Sequence, residues 1–460
     1  LKVVLAAINA RFTHSSPVLR YLRNAIEAVW AERPAGATGT AIQLREYHIS
    51  QNRLDIVRDI VGLQPGVLML SVYIWNADMV SAILPDLRAL LPVCRIILGG
   101  PEVSYSAVAW LERHPGIDLI VAGAGESAVA MLAVAGFDTQ AWPRRLLIAP
   151  PVDIACLPVP YRETDFVDLK NRYLYYESSR GCPFACSYCL SSREDQGLSH
   201  KPLDLVTAEL DFMMAHQPML IKFVDRTFNV DRRRARAIWQ HLIARAPGTR
   251  FHFEVHPALL EKADFELLGS APPGLFQFEL GVQTVHAVTR QAIGRSGDWI
   301  IERDAIRQLV ALKAIHSHVD MIVGLPGEDL AMVGRTFDEL SALGADHFQI
   351  GFLKGLPGTR LLSQAAGFGM LFQAHPPYTV LQTAQLSSVE LAELARVEEL
   401  YDNIGNSRGF DRQLQAASQA HGGSFMSWLA LSSHCRAVGF DIRTRNPVKI
   451  AGLLADWSGQ

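Results

Sequence analysis

Short, nearly all-apolar runs alternate with helix-periodic stretches along the first third of the chain. Val3 to Ile8, Gly66 to Val72, Cys94 to Leu98 and Leu119 to Ala122 are strand-length runs, and Ile42 to Leu44 is a weaker one. Segments such as Val18 to Ala31 repeat apolar residues at the helical period. Strands with little polar alternation are covered on both faces, so the pattern predicts a parallel sheet wound with helices on each side. Such sheets bind ligands beyond the carboxyl ends of their strands. Those ends here carry Asn9 to Ser16, Ser71 to Asn76, Gly99 to Tyr105 and Gly123 to Ser127.

Trp142 to Asp168 has no long periodic segment and is rich in proline (Pro143, Pro150, Pro151, Pro158, Pro160), which marks a boundary. From Tyr173 the alternation resumes. Tyr173 to Ser178, Leu220 to Val224, Phe251 to Val255, Phe276 to Leu280, Val319 to Val323 and His347 to Phe352 read as strands. Helices such as Leu205 to Ala215 and Arg232 to Arg245 lie between them. Repeated βα units predict a partial (β/α)6 barrel with its chemistry at the carboxyl ends of the strands. After about His375 the pattern turns helical. Ser387 to Ile404 opens on a capping signal, and Phe425 to His434 and Pro447 to Trp457 follow. The expected architecture is α/β. A flavodoxin-like, doubly wound sheet spans 1–141, a linker 142–170, the partial barrel 171–374 and a small α-helical domain 375–460.

Composition narrows the classes. Apolar residues make up 49% of 460, enough for several cores and too many for a disordered chain. A formal net charge of −3 gives no global case for a dedicated nucleic-acid binder. No apolar run approaches the ~20 residues of a membrane-spanning helix. Leu1 to Ile8 leads into Asn9-Ala10-Arg11 without a cleavage site, so it reads as a strand rather than a signal peptide. A cytoplasmic location is expected. Six cysteines are too few for a disulfide scaffold, yet three of them cluster.

Arg180-Gly181-Cys182-Pro183-Phe184-Ala185-Cys186-Ser187-Tyr188-Cys189 is a C-x3-C-x2-C loop directly after the first barrel strand. Three thiolates on such a loop can hold three irons of a cubane cluster and leave the fourth open. Gly181 lets the chain leave the strand sharply. Zinc with His200 as fourth ligand is an alternative of unusual spacing. The residues at the following strand ends suit a zwitterionic ligand. Asp225 can meet an amine and Glu254 can accept from hydroxyls. Arg226 suits a carboxylate or is a surface charge, and Gln283 is a ligand contact or a plain strand-end hydrogen-bonder.

With these residues the chain resembles a radical S-adenosylmethionine (SAM) enzyme of the class with an N-terminal cobalamin-binding domain. The resemblance covers about Leu1 to Phe352. Its motifs are Phe223-Val224-Asp225-Arg226-Thr227-Phe228-Asn229, Phe253-Glu254-Val255-His256-Pro257, Glu279-Leu280-Gly281-Val282-Gln283-Thr284, Gly324-Leu325-Pro326-Gly327-Glu328 and Leu356-Pro357-Gly358-Thr359, each after its own strand. The resemblance implies a [4Fe–4S] cluster on Cys182, Cys186 and Cys189, with SAM on the open iron. It puts Tyr188 against the adenine, and Asp225, Arg226, Glu254 and Gln283 at SAM.

For the first domain the resemblance rests on Ser71-Val72-Tyr73-Ile74-Trp75-Asn76, Leu98-Gly99-Gly100-Pro101-Glu102 and Val121-Ala122-Gly123-Ala124-Gly125-Glu126. It implies cobalamin on Ser71, Tyr73, Trp75, Asn76, Gly99, Gly100, Gly123, Gly125 and Glu126, with His14 at its edge. The glycines are expected to let the backbone approach the corrin. No D-x-H-x-x-G motif is present, so cobalt is expected to lack a protein ligand, with Trp75 shielding its lower face. The implied function is methylation of an unactivated carbon through a 5′-deoxyadenosyl radical. A cyclisation, ring contraction or oxygen insertion on the same machinery is the alternative. A non-catalytic cobalamin sensor and a methylthiotransferase fit less well. Expected partners are a small-molecule or peptide substrate and an electron donor such as flavodoxin or ferredoxin, without a membrane or nucleic acid. The Arg232-Arg233-Arg234-Ala235-Arg236 run is expected to be a solvated face.

Overall fold

The computed structural model describes the chain apart from residues 33–40, 143, 193–196, 246–247, 421–422 and 459–460. The first sheet contains β1 (Lys2–Asn9), β2 (Ala41–His48), β3 (Val67–Ser71), β4 (Arg95–Gly99), β5 (Leu119–Ala122) and β6 (Leu146–Ile148). Its order is β2-β1-β3-β4-β5-β6 and every neighbouring pair is parallel. Alternate residues of β1 enter opposite cores, which is why the strand shows no polar alternation. Val4, Ala6 and Ile8 pack with Leu68, Leu70 and Ile96, whereas Val3, Leu5 and Ala7 pack with Leu19, Leu22 and Ile26. The strand order reverses at β1, with β2 on one side and β3 on the other. The crevice that binds ligands in such sheets therefore lies beyond β1 and β3.

Within this sheet, two strands depart most from the sequence reading. β2 extends to His48, because an edge strand tolerates the polar Gln43, Arg45 and Glu46. β6 lies in the proline-rich stretch read as linker. Three residues are too few for a periodic signal, and only pairing with β5 defines them.

The second set of strands begins with β7 (Leu174–Tyr176) and a short antiparallel pair, β8 (Ser179–Arg180) with β9 (Ser199–His200). Then come β10 (Leu220–Phe223), β11 (Arg250–Glu254), β12 (Phe276–Gln283), β13 (Ile315–Val323) and β14 (His347–Phe352). The sheet order is β14-β13-β12-β11-β10-β7. By internal contacts the chain forms two compact units: Leu1–Arg180 with Ser199–Val224, and Gly181–Leu198 with Asp225–Gln460.

Along β12, Phe276, Phe278, Leu280 and Val282 are buried while Gln277, Glu279, Gly281 and Gln283 are half-buried. The buried face packs on the helix Arg232–Arg245, whose Trp239 stacks on Phe278 at 5.4 Å. Arg232 of that helix pairs with Glu261, and Arg236 with Glu261 and the buried Asp264, so part of the basic run expected to be a solvated face is instead tied to the next helix.

The helix Ser388–Leu400 carries both bonds of the Ser387/Glu390 capping box. It does not run on as one α-helix: Tyr401–Gly405 is a π turn. Asn406 then accepts from Phe348 N and donates to Phe348 O, both at 3.0 Å, and so satisfies the edge of β14. Helices Ser424–Ala437 and Pro447–Ser458 match the expected ones, and Asp411–Ala420 is additional. No described helix is long and apolar enough to cross a membrane.

Candidate functional site

The cysteine loop is shaped by close backbone approaches. Gly181 has φ +95°, and a Cβ there would lie 2.4 Å from Gly197 O, so only glycine turns the chain at this point. Ser187 N donates to Ile293 O at 2.8 Å, and Arg360 donates to Ala185 O at 2.6 Å. Gly294, at φ +67°, would place a Cβ 2.6 Å from the same Ala185 O. The Leu356-Pro357-Gly358-Thr359 turn thus braces the loop through the arginine that follows it.

Cys182, Cys186 and Cys189 line one cleft, with about 840 Å³ of space open to solvent. Tyr188, Arg226, Glu254 and Gln283 line it as the sequence indicated, together with Phe184, Thr227, His256, Glu279, Arg295 and Asp320. Cys182 Sγ lies 3.7 Å from Thr227 Oγ1. Burial pushes the Cys186 thiol up, and the nearby Arg295 guanidinium pulls it back. Arg226 is half-exposed and reaches Glu254 Oε1 at 3.5 Å. Asp225 is only 1% exposed and is absent from the cleft lining, because the chain after β10 turns Arg226 and Thr227 to the cleft instead.

The Glu279-x-Gly281-x-Gln283 motif has a geometric reason. The β12–β13 register shifts between Gly281 and Gln283, a bulge that re-aims the side chain. Gln283 adopts φ +73°, and its Nε2 lies 2.5 Å from where a Cβ of residue 281 would be. Gly281 makes the room. Gln283 Oε1 and Asp320 Oδ1 are buried with no hydrogen-bond partner. Burial, then Glu279 and Glu254, drive the Asp320 carboxyl well above the usual range. A carboxyl shifted in this direction takes up a proton more readily than an ordinary aspartate.

Three lining residues escaped the sequence reading: Asp320, Arg295 and its neighbour Ser296. Asp320 sits mid-strand in β13, where only the sheet register opposite Gly281 discloses it. Arg295 lies in a loop, twelve residues past Gln283, with no motif around it. It donates to Gly281 O and faces Cys186 and Tyr188. His256 packs on Phe184 at 5.0 Å, and burial beside Arg295 and Arg290 pulls it down to about 4, so it is neutral.

A mononuclear zinc site needs its thiolates about 2.3 Å from one point. Among the described residues no three His, Cys, Asp or Glu side chains are so gathered. His200 lies in β9.

In the first sheet the loops beyond β1 and β3 meet. Tyr73 and Trp75 stack at 4.4 Å with planes 9° apart, and Trp75 is 45% exposed. Trp75 Nε1 donates to Ile8 O at 3.2 Å. An exposed aromatic pair at the switch point suits a flat, largely apolar ligand face. Ser71 Oγ is buried and without a partner.

Three residues expected at cobalamin serve the loops themselves. Asn76 is 1% exposed; its amide donates to Ile8 O and Ser71 O and its oxygen accepts from Tyr73 N. Gly100 has φ +111°, and its Cβ would lie 2.5 Å from Val72 O, so the close approach it permits is to a neighbouring strand end. Glu126 pairs with Arg180 at 2.8 Å, which also holds Glu177. Gly99 and Gly123 lie in the same loop set, and a Cβ on Gly125 would meet Leu22 at 3.0 Å. His14 bonds Tyr175 Oη through Nδ1, and burial lowers its pKa.

Comparison with known proteins agrees with both halves. The radical SAM superfamily description matches residues 176–340, and the B12 binding domain description matches 5–133. A protein of unknown function (DUF4080) matches 366–457. Residues 176–340 thus carry a radical SAM domain. With its B12-binding domain the chain is homologous to cobalamin-dependent radical SAM enzymes, and its cofactors are a [4Fe–4S] cluster, SAM and cobalamin.

The 2-(S-pantetheinyl)-carbapenam-3-carboxylate methyltransferase of Streptantibioticus cattleyicolor is 23% identical over 57% of this chain and 43% of its own length. The anaerobic magnesium-protoporphyrin IX monomethyl ester cyclase of Synechocystis is 28% identical over 48% of each. The chain thus spans less than half the length of these relatives. The structure of the cobalamin-dependent SAM radical enzyme OxsB matches with TM-score 0.65 and 14% identity, over 99% of this chain and 78% of that one. That likeness shows the shared fold.

The residues present fit these groups. Three loop thiols and a buried guanidinium meet in one cleft, unpartnered acceptors wait beside them, and an exposed aromatic stack marks the first sheet's ligand edge.

Proposed function

We propose that the chain methylates an unactivated carbon of its substrate, with a 5′-deoxyadenosyl radical activating that carbon and cobalamin supplying the methyl group. The observation that carries the reading is the cleft: three cluster cysteines share it with a ring of SAM-suited side chains, in a chain that also has a B12-binding domain. The similarity to a named methyltransferase supports methyl transfer as the outcome.

In this reading Cys182, Cys186 and Cys189 hold the cluster. Tyr188, Arg226, Glu254 and Gln283 bind SAM together with Arg295 and Asp320. Glu254 takes the role for the amine that the sequence assigned to Asp225. The loops at Ser71–Trp75, Gly99–Gly100 and Gly123–Glu126 carry cobalamin, with His14 at their margin. The chain's residues 1–141, 171–374 and 375–460 act as cobalamin, radical and substrate-facing domains. An electron donor such as flavodoxin or ferredoxin reduces the cluster, and so sparse a cysteine content, half of it in one loop, fits a reducing compartment such as the cytoplasm.

A second reading has its own support: the cyclase of Synechocystis is also similar, which favours ring formation on the same machinery. Anaerobic incubation of the reconstituted enzyme with SAM, reductant and a cell extract separates the two. Methylation releases 5′-deoxyadenosine and S-adenosylhomocysteine and adds one methylene to a product. Release of 5′-deoxyadenosine without S-adenosylhomocysteine refutes methyl transfer.

A further inference from the structure

Behind the cluster cleft lies a charged layer that no motif announces. Glu302, on the helix Trp299–Leu312, is completely buried. Its carboxylate accepts from both terminal nitrogens of Arg290, at 2.6 and 3.0 Å. Arg295 Nη2 lies 3.7 Å from the same carboxylate and His256 Nε2 3.8 Å. Arg290 is fixed further by Thr284 O and Ser296 O, each at 3.2 Å. Gly297 lets the loop lie on this layer: a Cβ there would come 2.9 Å from Glu302 Oε1. Two buried guanidiniums without an anion would be strongly unfavourable, so Glu302 is what permits Arg295 to sit at the cleft. Arg295 Nε is buried with no hydrogen-bond partner.

We propose that Glu302 is a positioning residue that holds Arg295 beside Cys186 and Tyr188 and sets the net charge next to the cluster. The two arginines and the glutamate leave one positive charge there. The proposal rests on the cluster assignment made above. Its effect is electrostatic as well as steric, because charges near the sulfurs tune a cluster's potential.

The test uses the reconstituted full-length enzyme. Iron content and the reduced-cluster resonance of wild type are measured first; their absence would refute the cluster assignment itself. With the cluster present, its midpoint potential and SAM affinity are compared in Glu302→Gln and Arg295→Gln. Glu302→Gln removes a negative charge and should raise the potential, whereas Arg295→Gln removes a positive one and should lower it. SAM affinity should fall on the order of tenfold in Glu302→Gln, as for other residues that orient a ligand-binding group. A role in packing alone would shift the melting temperature without opposite potential shifts. A normal cluster with wild-type potential and SAM affinity in Glu302→Gln overturns the proposal. Should that chain not fold, Arg290→Met/Glu302→Met removes the ion pair as a unit and keeps the net charge. It should leave the potential unchanged and still weaken SAM binding; wild-type SAM affinity in that variant overturns the proposal equally.

Discussion

The hairpin that brackets the cysteine loop is fastened by a buried ion pair, and breaking it is a sharp test of how the fold supports the site. Lys201 follows β9, and its side chain is wholly buried. Its Nζ lies 2.8 and 3.1 Å from the two oxygens of Glu209, which also accepts from Tyr176 Oη at 2.6 Å. Lys201 N donates to Ser178 O at 3.0 Å, which ties the end of β9 to the start of β8. Lys201→Met keeps the stem volume and removes the charge, leaving the Glu209 carboxylate buried with only neutral partners. Breaking a buried pair in this way costs about 3–5 kcal/mol. Lys201→Met/Glu209→Gln removes both charges while Gln still accepts from Tyr176. Most of the loss should return, to within about 1 kcal/mol of wild type. Thermal melts followed by circular dichroism give the stability order, and iron content after reconstitution reports the hairpin's hold on the loop. Lys201→Met should lower both, and the double variant should recover both. Equal destabilisation of the two variants would refute the argument, since the loss would then come from packing of the lysine stem and not from an uncompensated charge.

Other outcomes are as specific. Wild type should bind about four irons per chain, and substitution of Cys182, Cys186 and Cys189 by alanine should abolish them, checked by iron analysis and absorption. Trp75→Ala should alter the cobalt spectrum, and paramagnetic resonance of the Co(II) form should show no nitrogen splitting from a protein ligand. Glu328 is fully buried, and burial raises its carboxyl from 4.5 to about 7, against a bond from Thr284. The folded state therefore holds the proton more tightly than the unfolded one, so stability falls as pH rises from about 4.5 to about 7 and is flat above. Glu328→Gln should gain on wild type through that window by on the order of 3 kcal/mol, read from paired melts at pH 5 and pH 8. Gly334→Ala would put a Cβ 2.5 Å from Phe425 Cδ1 and should destabilise the helical region by about 1–3 kcal/mol, measured by denaturant titration.

The sequence by itself determined the element order and the chemistry that could sit on it. The doubly buried β1 and the strand β14 were legible because their patterns are local, and so were the capping box at Ser387 and the C-x3-C-x2-C loop. What lies side by side was decided only in three dimensions. β6 exists because β5 pairs with it. Asp320 faces the cleft because β13 lies in register with a bulged β12. Arg295 reaches Cys186 because buried Glu302, from the next helix, holds it there. Asn76 and Gly100 look like ligand contacts in sequence, since small and polar residues at a strand end mark a binding edge. In the fold both are taken up by neighbouring backbone, at Ile8 and Val72. A side chain's type is written in the sequence, but its partner is set by which segments tertiary packing brings together.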